Sequence, residues 1–150
     1  MVTYFVDRDL GPRVGEALRQ VKVDVVLHHE RFGPTTADDE WIPTAAAEGL
    51  VILTRDRHIR SRPAERQVFV DAGAKCIVVT TGVSRPLDDL RALLIAWPQI
   101  EAHAASMPGP FMFGLARDGR LTQYIPTSGP HGPEARREAM AARRAARTPP

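Results

Sequence analysis

The chain has 150 residues, 43% apolar and 25% charged, which is the balance of a soluble globule with enough length for one real hydrophobic core. No apolar run approaches the ~20 residues of a bilayer span. The start Met1-Val2-Thr3-Tyr4 lacks the basic residues, apolar stretch and cleavage site of a secretory signal, and a lone cysteine, which cannot make an internal disulfide, makes a cytoplasmic protein the expectation. The net charge of +2 hides an asymmetry: residues 117–150 hold seven arginines against Asp118, Glu134 and Glu138, while the remainder holds 13 basic and 15 acidic groups. A basic tail suits an anionic partner, nucleic acid or an acidic protein, or simple solvation. The single cysteine, Cys76, lies in an apolar run and reads as a small core residue. With no cysteine pair and no His-x-x-x-His spacing, zinc is disfavoured.

In chain order, Tyr4-Phe5-Val6 reads as a strand that runs straight into Asp7, with Asp9 two residues on. Leu10-Gly11-Pro12 is a turn with proline near the first helical position. Val14, Ala17, Leu18 and Val21 have the spacing of an amphipathic helix. Val23 to Leu27 is a second strand, and His28 to Pro34 an irregular loop with both histidines at the surface. Thr35-Thr36-Ala37-Asp38 carries helix-start chemistry, because hydroxyl and carboxylate side chains satisfy free N–H groups there. The helix it opens runs to about Glu48, with Trp41, Ile42, Ala45 and Ala46 inward and Pro43 in its first turn.

Gly49 to Asp56 is the stretch around which the chain is organised. Leu50-Val51-Ile52-Leu53 suits a strand covered on both faces, and Thr54 and Asp56 stand where it leaves the sheet. Ser61-Arg62-Pro63-Ala64-Glu65 opens a helix with Val68, Phe69 and Ala72 apolar, and Ala74 to Val79 is the fourth strand. Pro86 to about Ala105 is a helix with Leu87, Leu90, Leu94 and Trp97 inward and a kink at Pro98. Phe111–Ala116 and Arg120–Tyr124 read as strands around the turn Arg117-Asp118-Gly119. The alternation predicts an α/β three-layer sandwich on a mainly parallel sheet, with an antiparallel edge added by the last hairpin. Residues 1–126 read as the domain. Residues 127–150 read as a basic Gly/Pro/Ala/Arg-rich tail, flexible or helical only when docked on a partner.

In such sheets ligands bind beyond the carboxyl ends of the strands. Asp7 and Asp56 end strands, and Asp38 opens a helix that should begin on the same edge. Three converging carboxylates repel unless a cation sits between them. All-oxygen ligation suits Mg2+ or Mn2+, which can orient an attack on a phosphodiester. Asp9, Asp39, Glu40 and Glu65 are further acids. Arg55, Arg57, Arg60 and Arg62, with His58 and Arg66, form a cluster able to hold a nucleic-acid backbone or to pair with nearby acids. No Gly-x-Ser-x-Gly occurs, and Cys76 has no exposed base partner.

The run Phe5-Val6-Asp7-Arg8-Asp9-Leu10-Gly11, then Thr36 to Ile42, then Leu53 to Arg60 with Pro63-Ala64-Glu65, resembles the compact PIN-like domains related to VapC toxins. The resemblance covers Tyr4 to Val79 and extends toward Ala105. It implies a PIN-like fold and a Mg2+- or Mn2+-dependent ribonuclease, the toxin of a type II toxin–antitoxin pair. It places Asp7, Asp38 and Asp56 as metal-holding, catalytic acids, with Asp39 the alternative to Asp38. RNA, a cognate antitoxin protein and a homodimer are the partners it implies. Larger PIN domains carry a further acid, commonly Glu, between the first strand and the acid equivalent to Asp38. Here only Glu16 and Glu30 fall there. Two other readings stay open. One is a non-catalytic PIN-like module that binds RNA or protein. The other is a receiver-like phosphoacceptor using Asp7, Asp9, Asp56 and Thr80 or Thr81.

Overall fold

Side chains alternate between two faces along the central strands, and that alternation builds the fold. The computed structural model describes residues 2–56, 58–82, 85–125 and 144, with residues 60 and 61 described by backbone alone. The expected tail at 127–150 therefore lies outside the described residues apart from Arg144, as does Arg57. The strands are β1 (Tyr4–Val6), β2 (Val25–Leu27), β3 (Val51–Thr54), β4 (Lys75–Val79), β5 (Phe111–Leu115) and β6 (Leu121–Ile125). They form one sheet in the order β2-β1-β3-β4-β5-β6. β1 to β5 are parallel and β6 alone is antiparallel, paired to β5. The last hairpin thus contributes one antiparallel strand, since β5 extends the parallel set. The helices are α1 (Pro12–Gln20), α2 (His28–Arg31), α3 (Asp38–Ala47), α4 (His58–Ser61), α5 (Pro63–Ala72) and α6 (Pro86–Ser106).

Phe5, Ile52, Cys76, Val78 and Met112 face Trp41, Ile42 and Ala45 of α3 and Phe69 of α5. Val6, Leu27, Leu53, Ile77 and Val79 face Val14 and Leu18 of α1 and Leu93, Ala96 and Ile100 of α6. Burying both faces is what a parallel sheet requires, and the result is the expected three-layer α/β sandwich. Gly15 lets α1 lie close on the sheet, because a side chain there would collide with Leu27.

Several local expectations change. α6 buries Asp89, Ala92, Leu93, Ala96, Ile100 and Ala104. Leu87 and Leu94, expected inward, are 61% and 49% exposed, and Leu90 and Trp97 are half-buried. The leucines fit two helical phases. The phase that wins puts small Ala92 and Ala96 against the sheet and gives Asp89 an ion-pair partner. α6 runs unbroken through Pro98. Val21 caps the end of α1 and is exposed. The segment after β2 is the short helix α2, where Glu30 accepts the Leu27 N–H at 2.7 Å and an Arg19 guanidinium bond at 2.7 Å. α3 has Ala37 as its N-cap with no side-chain cap; the helix-start chemistry comes instead from Asp38, Asp39 and Glu40 in the first turn. Pro43 is the sixth helical residue, and the N–H it lacks would have bonded the exposed Asp39 carbonyl, which water can satisfy. Among the described residues no helix is long and apolar enough to cross a membrane.

Candidate functional site

The register of β2, β1 and β3 decides which side chains meet at the carboxyl edge. Val6 lies opposite Leu27 and Leu53, so one step further places Asp7 between His28 and Thr54. Asp7 follows Phe5 in the period of two, and so points to the α3 side of the sheet. It is 7% exposed. Its Oδ2 accepts the Thr54 hydroxyl at 2.8 Å and its Oδ1 the Arg8 N–H at 2.7 Å. Its backbone continues the β1–β3 ladder by donating to the Leu53 carbonyl at 3.0 Å.

Burial, with the like charges of Asp9 and Asp38, pushes the Asp7 carboxyl up to about 6, against the opposing bonds from Thr54 and Arg8. Asp9, exposed at the lip, is also raised, by desolvation first and then by Asp56 and Asp38. Asp7, Asp9, Asp38 and Asp56 therefore share one electrostatic neighbourhood, drawn from β1, the start of α3 and the exit of β3. Buried Cys76, beneath them on β4, has its thiol pushed well up by desolvation and then by Asp7 and Asp56.

The outer carboxylates are turned to local partners. Asp38 Oδ1 accepts the Trp41 indole N–H at 2.8 Å, and Asp56 Oδ1 accepts the His58 N–H at 2.9 Å. As the side chains lie, no three His, Cys, Asp or Glu groups among the described residues are close enough to ligate one ion. Asp39 shares with Asp38 and Glu65 the lining of a cleft of about 300 Å³ between α3 and α5, floored by Ile42, Val68 and Phe69. Glu40 is exposed in the first turn of α3. Glu30 is committed to Arg19 and the Leu27 N–H, which hold its carboxyl below the usual range, and Glu16 pairs with Arg19.

The arginines separate. Arg55 turns inward: it pairs with Asp89 Oδ2 at 3.2 Å and donates to the Gly82 carbonyl, while Thr81 donates to Asp89 Oδ1 at 2.6 Å. It braces the β3 exit against α6, and its guanidinium is spent inside the fold. Arg62 is exposed and pairs with Glu65 at 3.3 Å. Arg57 and the Arg60 side chain lie outside the described residues.

Three residues at this edge escaped the reading of the chain: Thr54 as the partner of Asp7, Asp89 as the partner of Arg55, and His28. His28, expected at the surface, is 2% exposed and packs among Phe5, Phe32 and Trp41. The period-two pattern Val26, His28 was the available signal for it. His29 is the exposed member of the pair.

A family model described as a PIN like domain matches residues 2–81, more than half the chain, and spans β1 to the end of β4. The chain belongs to the PIN-like domain family. Comparison with curated proteins and with solved structures gave no match.

Proposed function

We propose that this protein is a metal-dependent endoribonuclease whose reaction centre is the carboxyl edge of β1 and β3. The observation that carries the reading is the buried, like-charge-perturbed Asp7 with Asp9, Asp38 and Asp56 around it. Charge of one sign concentrated at a strand-end crevice is costly to folding and suits a divalent cation. The donors are all oxygen, which fits Mg2+ or Mn2+, and Asp7, Asp38 and Asp56, with Asp9 or Asp39 as further acids, would hold it. Such an ion, when bound, supplies charge stabilisation at a phosphodiester and a more acidic water. Thr54 orients the Asp7 carboxylate. The Arg55–Asp89 pair fixes the backbone from which Asp56 projects. Arg62, with Arg57 and Arg60, would meet the polynucleotide backbone.

Substituting Asp7→Asn or Asp56→Asn should abolish cleavage of single-stranded RNA in Mg2+ or Mn2+ while leaving the circular dichroism spectrum unchanged. Cleavage equal to the parent by both variants would end the assignment. We further propose the toxin role that the resemblance implies, in the cytoplasm, with a cognate antitoxin as partner and a homodimer as the working form. Suppression of growth arrest by the product of an adjacent small gene tests that role separately. A second reading is a PIN-like domain that binds RNA without cutting it. The turning of Asp38 to Trp41 and of Asp56 to His58 favours it, and intact RNA retained on the protein would establish it.

A further inference from the structure

A helix that packs one face on a sheet normally turns polar residues to water. α6 departs from this. Val21, Leu87, Leu94 and Ile95 are the large apolar side chains left exposed among the described residues, and three of the four lie on α6. Val21 lines a groove of about 700 Å³ together with Leu94, half-buried Trp97, Pro98 and Glu101. Contiguous apolar surface of this kind marks a contact face. Its pattern along the helix is regular. Leu87, Arg91, Leu94, Pro98, Glu101 and Ala105 are all exposed and follow one another in alternate steps of four and three, the repeat of a seam between two helices. The buried set Asp89, Ala92, Leu93, Ala96 and Ile100 lies on the opposite side.

The charges on this seam say what covers it. Among the described residues Arg91 makes no ion pair; Asp88, one turn before it, is held by Arg85 at 3.5 Å and Arg117 at 3.4 Å. Glu101 gives one oxygen to the Trp97 indole N–H at 2.6 Å and has the other to spare. A second copy of α6 laid antiparallel, with a two-fold axis level with Ala96, sets Leu94 opposite Pro98, Leu87 opposite Ala105 and Arg91 opposite Glu101. In that register apolar meets apolar, and each charge meets its opposite twice by symmetry. Parallel pairing would set arginine on arginine and glutamate on glutamate, which like charges oppose. We propose that the exposed stripe of α6 is a homodimer face, formed by antiparallel pairing with α6 of a second copy. The homodimer proposed above thereby gains a face, on grounds that do not involve RNA cleavage. α6 runs from the carboxyl end of β4 to the amino end of β5, so this pairing sends the two acid crevices to opposite ends of the dimer, each complete in its own protomer. The seam is about 27 Å long, at the small end of specific interfaces, so the dimer should form in the micromolar range.

Sedimentation equilibrium of the full chain, from about 1 to about 200 μM, tests the pairing. The expected result is a reversible monomer–dimer equilibrium. Leu94→Glu, Arg91→Glu and Glu101→Arg, all at exposed positions, should each weaken self-association about tenfold or more with the circular dichroism spectrum unchanged. The double variant Arg91→Glu/Glu101→Arg restores opposite charges across the seam and should recover association close to that of the parent. A parent that stays monomeric throughout leaves the patch to a different partner and overturns the pairing. A dimer indifferent to all three single substitutions, or a double variant no better than the singles, overturns it as well. Mn2+ binding should be the same in Leu94→Glu as in the parent, so failure of the interface and failure of the nuclease reading are told apart by the same titration.

Discussion

Asp7 should cost this protein stability at neutral pH, and replacing it should recover that stability. Its carboxyl ionises at about 6 in the fold against an ordinary 3.8. Well below pH 3.8 the group is protonated in both folded and unfolded chains and contributes no difference. As pH rises through 6 the unfolded chain ionises more readily, and the fold loses about 3 kcal/mol. Asp7→Asn removes that loss. The amide keeps one acceptor oxygen where the carboxylate uses two, for Thr54 and the Arg8 N–H, at a cost of about 1 kcal/mol. The variant should therefore be about 2 kcal/mol more stable than the parent at pH 7.5 and about half a kcal/mol less stable at pH 4, where the unfolded carboxyl is already partly ionised. At neutral pH that is about 4–8 °C in Tm for a chain of this length. Urea unfolding in chelator at the two pH values measures the difference, in which the other carboxylates cancel. Magnesium should then raise the parent's stability by linkage and leave the variant's unchanged. A difference that is flat across pH, or a variant less stable at both, would refute the reasoning.

Arg55→Ala leaves Asp89 buried without its cation. It should cost about 3 kcal/mol and lower Tm by about 6–12 °C, read by calorimetry, with cleavage reduced because the β3 exit loosens. The phase of α6 has its own test: Leu93→Ala should cost about 2–5 kcal/mol in urea unfolding, whereas Leu87→Ala should fall within about 0.5 kcal/mol of the parent. Equal effects would mean that α6 is rotated from the orientation described.

The parallel sheet was legible because each of β1, β3 and β4 is a short apolar run with a turn signal at its end, and because helical spacing separates them. The side on which Asp7 and Asp56 project followed from that topology alone. What stayed hidden was pairing across the sheet. Thr54 meets Asp7 only because β1 and β3 are neighbours in register, and no local pattern announces that. His28 read as loop because a four-residue helix leaves almost no periodicity. Leu87, Leu90, Leu93 and Leu94 offer two apolar phases, and the choice between them rests on an ion pair between Asp89 and Arg55, 34 positions apart in the chain. Arg55 looked like a phosphate contact for the same reason: a charged residue's partner is set by the fold, while its sequence neighbourhood shows only its charge.

The most direct measurement is calorimetric titration of Mn2+ into the parent and into Asp7→Asn, Asp38→Asn and Asp56→Asn. Saturable binding in the parent that is lost or weakened at least tenfold in each variant is the expected result. No binding by the parent, or binding that survives all three substitutions, would contradict the claim that these carboxylates share one divalent ion.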